Sequence, residues 1–115
     1  MTGDEDCVFC KIVSGEIPGD VVLSTDEVVA FRDLQPVAPT HVLVVPRAHA
    51  PDAAATAADD PALLGALVSA GAEVARQEGV SDYRLVLNTG AEAGQSVFHT
   101  HLHVLGGRAF SWPPG

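Results

Sequence analysis

The chain has 115 residues, 47% of them hydrophobic, and carries 15 acidic against 6 basic side chains for a net charge of -9. That size and composition suit one domain spanning residues 1–115 around one core, and they exclude disorder of the whole chain. The negative field excludes binding along an extended nucleic acid, although a local cluster of donors can still hold a small phosphorylated ligand, and no apolar run is long enough to span a membrane.

The N-terminus, Met1 to Asp6, is acidic and polar, the opposite of a secretory leader, so a cytoplasmic protein is expected. Cys7 and Cys10 are the two cysteines. In a reducing compartment they read as metal ligands or as ordinary buried residues rather than as a disulfide. Cys7 to Val13 reads as a short helical turn stopped by Gly15. Val21–Leu23 and Val28–Phe31, rich in β-branched and aromatic residues, flank Ser24–Glu27 and predict a hairpin. Pro36 and Pro39 mark a rigid loop, and His41–Val45 predicts a buried strand ended by Pro46.

One long helix follows. Asp59 or Asp60 can cap it, Pro61 suits its first turn, and Gly79 stops it. Leu63, Leu64, Leu67, Gly71, Val74 and Ala75 share one face, as core or as a subunit interface. Tyr83–Asn88 and Phe98–Leu105 predict two further strands around the polar loop Thr89–Ser96. The expected fold is α+β, about five short antiparallel strands with the long helix on one face and a short helix at the N-terminus.

Three of the five histidines are His99, His101 and His103. Alternate residues of a strand face one way, so the three imidazoles share a face while Thr100, Leu102 and Val104 take the other. Three readings compete. One is a chance run of surface histidines, which the apolar neighbours disfavour. The second is a metal site, since His-x-His on a strand can hold zinc. The third is nucleophilic catalysis by one imidazole oriented by the others, because much of a histidine is unprotonated at neutral pH. Attack on phosphorus also needs donors for the developing charge. Gly94-Gln95-Ser96, leading into the triad, offers backbone N–H groups, an amide and a hydroxyl. Together they favour phosphate chemistry over a simple metal site.

His99-Thr100-His101-Leu102-His103-Val104-Leu105 resembles the signature of the histidine triad family. The surrounding sequence is similar to the Hint branch of that family, which contains purine nucleoside phosphoramidases. The stretches are Phe9–Ile12, Glu16–Pro18, Ala30–Asp33, Ala38–His41, Val44–Pro46, Tyr83–Asn88, Gly94–Val97, Leu105–Arg108 and Trp112–Gly115. They run in order from Cys7 to the last residue.

The resemblance implies hydrolysis of a purine nucleoside 5′-phosphoramidate through a covalent nucleotidyl-histidine, with no metal required for catalysis. His101 would be the nucleophile, His103 a phosphate donor and His41 the residue that tunes the triad. Ser96 would protonate the leaving amine. Asn88, Gly94, Gln95 and Ser96 would hold the phosphate. Phe9, Ile12, Ile17 and Phe31 would line a purine slot, where the residues alone read equally as core. Asp33, with Leu34 beside it, would accept the ribose hydroxyls. A carboxylate suits a vicinal diol, although a loop carboxylate before Pro36 is the commoner case.

The resemblance also implies a homodimer with a sheet continuous between subunits and a tail, bearing Trp112, that reaches toward the partner. Small residues on the long helix (Gly65, Ala66, Ala70 and Gly71) permit close approach of another element. Cys7-x-x-Cys10 matches half of a zinc site. With His41, His101 and His103 assigned to catalysis, His49 and His99 complete a structural set, as in family members that keep the cysteine pair. The alternatives are a dinucleoside polyphosphate hydrolase, a nucleotidyl transferase, or a zinc-containing nucleotide-binding regulatory module without significant turnover. The tail and Gly106-Gly107-Arg108 oppose the first, and the length of the chain opposes the second.

Overall fold

A computed structural model describes residues 6–115. The acidic stretch Met1–Glu5, on which the reading of the N-terminus largely rests, lies outside the described residues. The elements in chain order are α1 (Val8–Ser14), β1 (Val21–Ser24), β2 (Val28–Arg32), β3 (Thr40–Pro46), α2 (Ala53–Asp59), α3 (Pro61–Gln77), β4 (Tyr83–Val86) and β5 (Leu102–Gly106). The strands form one antiparallel sheet in the order β1-β2-β3-β5-β4.

Alternation along the strands builds two different faces. Val28, Ala30, Val42, Val44, Leu102 and Val104 point to one side and pack on Leu63, Leu67, Ala70, Val74 and Ala75 of α3. The long helix starts as its sequence predicts: the Asp60 side chain accepts from Leu63 N–H and Pro61 takes the first turn. Gly71 is needed where helix and sheet approach most closely. A Cβ there would lie 3.1 Å from Leu102 and 3.2 Å from Leu85. Gly71 thus serves the core side of its stripe, by contact of helix and sheet within the chain.

On the other face, Val29, Phe31, Leu43 and Val45 gather Cys7 and Phe9 from α1. The Cys7 side chain accepts from Cys10 N–H at the start of α1, and Gly15, at φ 85, ends it in the left-handed region that glycine enters without strain. Register places Leu43 opposite both Phe31 and His103, and His41 opposite Leu105. The histidines lie on this same face beside α1, with Phe9 against His99 and His101.

Two boundaries and one element differ clearly from expectation. β4 ends at Val86 rather than Asn88, and β5 begins at Leu102 rather than Phe98. Residues before Leu102 bond elsewhere: Thr100 N–H donates to Ala50 C=O, and the Thr100 and Thr56 hydroxyls lie 2.7 Å apart. The short helix α2, capped by Asp52, was not foreseen.

Candidate active site

Hydrogen bonds set which ring nitrogen carries the proton in His41, His99, His101 and His103. His101 Nδ1 lies 2.8 Å from His99 C=O, which can only accept, so Nδ1 carries a proton and the neutral ring has its lone pair on Nε2. Its ring is buried between those of Phe9 and His103, each 5.0 Å away between centroids. His41 Nδ1 accepts from Val37 N–H at 3.1 Å, so neutral His41 is protonated on Nε2. That N–H bonds to His103 Nδ1 at 3.0 Å, and Asp33 Oδ2 stands 3.3 Å from the same nitrogen as a charge contact. His103 therefore accepts at Nδ1 and carries its proton on Nε2. This Nε2 is buried and has no hydrogen-bond partner among the described residues.

Both supporting imidazoles are held neutral. Burial pushes His41 below its ordinary value against the opposing pull of Asp33. Burial, then the charges of His101 and His41, lower His103 to about 4, with Asp33 again opposing. The result is a lone pair on one ring beside an unpaired donor on the next.

A cavity of about 280 Å³ opens next to these rings, lined by Phe9, Ile12, Phe31, Asp33, Leu34, Ser96 and Val97 among others. Leu34 is 96% exposed and forms its rim. Ile17, on the turn after α1, does not line it. Pro18 and Gly19, which the sequence did not single out for this role, do. The Asn88 amide lies against Gly94, 3.6 Å from where a Cβ would stand. The Gln95 amide is not aimed at a ligand, contrary to expectation. It is buried, donates to Pro51 and Val97 carbonyls and accepts from Gly90 N–H, which makes it the brace of the loop. Gly94 and Gln95 N–H groups bond within the loop as well. Of the three loop residues, Ser96 faces the cavity.

The remaining histidines meet the cysteines. Ligand atoms of Cys7, Cys10, His49 and His99 all lie within 4.8 Å of one another. His99 Nε2 donates to Pro46 C=O at 2.8 Å, so Nδ1 holds a single lone pair. Around it stand Cys7 Sγ at 3.3 Å, Cys10 Sγ at 3.4 Å and His49 Nδ1 at 3.2 Å. One lone pair accepts one good hydrogen bond, whereas a shared cation satisfies all four groups. Edges of a zinc tetrahedron with such ligands measure roughly 3.3–3.8 Å, close to these spacings. The donor set fits zinc.

Several of these features had no signal in the sequence. Val37 N–H and the carbonyls of His99 and Pro46 belong to the backbone, which looks the same at every residue. Asp33 meets His41 because the strands on either side of Leu34–Pro39 are paired, with Asp33 N–H donating to His41 C=O.

The fold and the row of histidines define a histidine triad enzyme. The HIT domain profile matches residues 14–110. Purine nucleoside phosphoramidase of Escherichia coli K12 is 43% identical over 106 residues, covering 90% of this chain and 89% of that protein. A HIT family hydrolase from Legionella pneumophila superposes with a TM-score of 0.91 at 46% identity, covering 96% of this chain and all of that one. A Zn-bound histidine triad family protein from Mycobacterium smegmatis gives 0.81 at 32% identity over 92% of this chain and 78% of that one. The chain belongs to the HIT domain family, and it is a hydrolase of the histidine triad type.

Proposed function

We propose that the protein hydrolyses purine nucleoside 5′-phosphoramidates. The observation that carries this reading is the pairing of a lone pair on His101 Nε2 with the unpartnered Nε2–H of His103. In the first step His101 Nε2 bonds to the α-phosphorus as the P–N bond breaks. His103 donates to a phosphoryl oxygen, where charge develops. Ser96 gives its proton to the departing amine, which leaves poorly otherwise. In the second step water bonds to phosphorus, the histidine–phosphorus bond breaks, and the nucleoside monophosphate departs, the proton from water restoring Ser96. Phe9, Ile12 and Phe31 offer the purine an apolar slot, Asp33 accepts the ribose hydroxyls, and Asn88 with the Gly94–Ser96 loop borders the phosphate. The name of the Escherichia coli relative supports this substrate class.

The test is turnover of adenosine 5′-phosphoramidate without added metal, beside a diadenosine polyphosphate. Faster release of AMP from the phosphoramidate is expected. Unchanged phosphoramidate after long incubation with concentrated protein would leave a binding module without turnover.

Cys7, Cys10, His49 and His99 would hold one structural zinc, which supplies cross-linking and no part of the reaction. The zinc-bound relative supports this assignment. The protein would act as a homodimer. β4 pairs with β5 alone, leaving one edge for another strand, and Trp112 stands 82% exposed nearby on the tail. Light scattering at micromolar concentration should give twice the chain mass, and a monomer would contradict it.

A further inference from the structure

We infer that Asp33 is a specificity-determining residue which couples recognition of the ribose to assembly of the phosphate donor. The inference rests on the nucleotide reading of this site. Neutral His41 has a single Nε2 proton, which bonds to His103 Nδ1 at 3.0 Å, while the Asp33 carboxylate stands 3.3 Å from the same nitrogen as a charge contact. Val37 N–H occupies His41 Nδ1, so the proton cannot be supplied from the other side of the ring. Asp33 is itself held in place, because its Oδ1 accepts from Gln35 N–H at 2.8 Å. The carboxylate lines the same cavity as Phe9 and Phe31, where the nucleoside enters.

With that cavity empty, the charge of the carboxylate pulls on the His41 proton and weakens the bond that fixes His103. Ribose hydroxyls donating to Asp33 occupy its lone pairs and weaken its claim on His41. The bond to His103 Nδ1 then strengthens. That holds the His103 ring and keeps its own proton on Nε2, toward the phosphate. A nucleotide with a 2′,3′-diol completes the site, whereas one without the diol binds to an incompletely assembled triad. The ribose then contributes to kcat as well as to KM.

The experiment compares adenosine 5′-phosphoramidate with its 2′,3′-dideoxy analogue on wild-type protein and on Asp33→Asn. This variant keeps an acceptor for Gln35 N–H and turns an NH₂ group, which cannot accept, toward His41. Wild type should lose kcat by about fivefold on the dideoxy substrate, in line with one neutral hydrogen bond. Asp33→Asn should give equal kcat on both. A simple ribose contact predicts instead a change in KM alone, and that result overturns the inference. Nitrogen-15 and proton NMR of the His41 ring supplies a readout independent of turnover. AMP should move the Nε2–H signal downfield, while 2′,3′-dideoxy-AMP should not. Equal shifts with both ligands, or no binding of AMP, overturn the coupling. If AMP alone shifts the signal but neither phosphoramidate is cleaved, the proposed reaction falls while the coupling stands. Should Asp33→Asn fail to fold, the wild-type comparison of the two ligands decides.

Discussion

At the scale of single residues, the triad is a problem in proton placement. His99, His101 and His103 each use one ring nitrogen to bond within the protein, and in the proposed reading the other serves a metal, a phosphorus or a phosphoryl oxygen respectively. His101→Asn should therefore keep AMP binding and lose turnover by on the order of 10⁴, as expected for a covalent residue, because the lost bond forms only during reaction. Single-turnover kinetics with calorimetry of AMP binding checks this, and near-normal kcat would assign the nucleophile elsewhere. His103 carries a cost of a different kind. Its ring is held to about 4, so between the ordinary 6.5 and that value the unfolded chain takes up a proton that the folded chain refuses. The unfolded state then binds more protons, so stability falls as pH drops through this window, is full above it and levels off below. Melting temperatures at pH 7 and pH 5 should differ more for wild type than for His103→Gln. Equal differences would show that the ring is not held neutral by its burial.

At the scale of elements, the sheet divides the labour between its faces. α3 covers one face and makes the core, while α1 packs on the other beside the histidines, with Phe9 against His99 and His101. Gly71→Val tests the fit of α3, since added methyl groups would strike Leu102, Leu85 and Val104. Overpacking of this sort costs about 1–3 kcal/mol, and urea unfolding should show it. A neutral result would mean that the helix stands farther from the sheet. This helix was fully legible in the sequence because its cap, first-turn proline and apolar stripe agree. α2 was not, because Ala53–Ala58 is nearly all alanine and carries no polar and apolar alternation. The start of β5 was misplaced because alternation continues through His99 and Thr100, while their hydrogen bonds go to Pro46 and Ala50. The spacing of the histidines announced the site. Its proton placement was hidden, since three of the partners that set it are backbone groups. The amide of Gln95 was misread for a related reason: residue type shows that a donor exists, but not that loop carbonyls have already claimed it.

At the scale of the whole molecule, the cysteine and histidine cluster joins the start of the chain to the residues that enter the triad. Cys7 and Cys10 bracket Phe9, which forms one wall of the cavity and rests against His101. His99 contributes its Nδ1 to the cluster and its carbonyl to His101 Nδ1. Loss of the proposed zinc would therefore loosen α1 and the seat of the nucleophile together. Metal-bound protein should contain about one zinc per chain, and because such binding contributes directly to folding, chelation should lower the melting temperature by several degrees. AMP affinity should weaken in the same preparation, because Phe9 loses its tether. Cys10→Ser and His49→Ala should both lose the metal and reproduce both effects, although neither residue lines the cavity proposed for the purine. Elemental analysis of untagged protein, a thermal melt and AMP titration together make the test. Metal-free protein with an unchanged melting temperature and unchanged AMP affinity would reduce the two cysteines to ordinary members of the core.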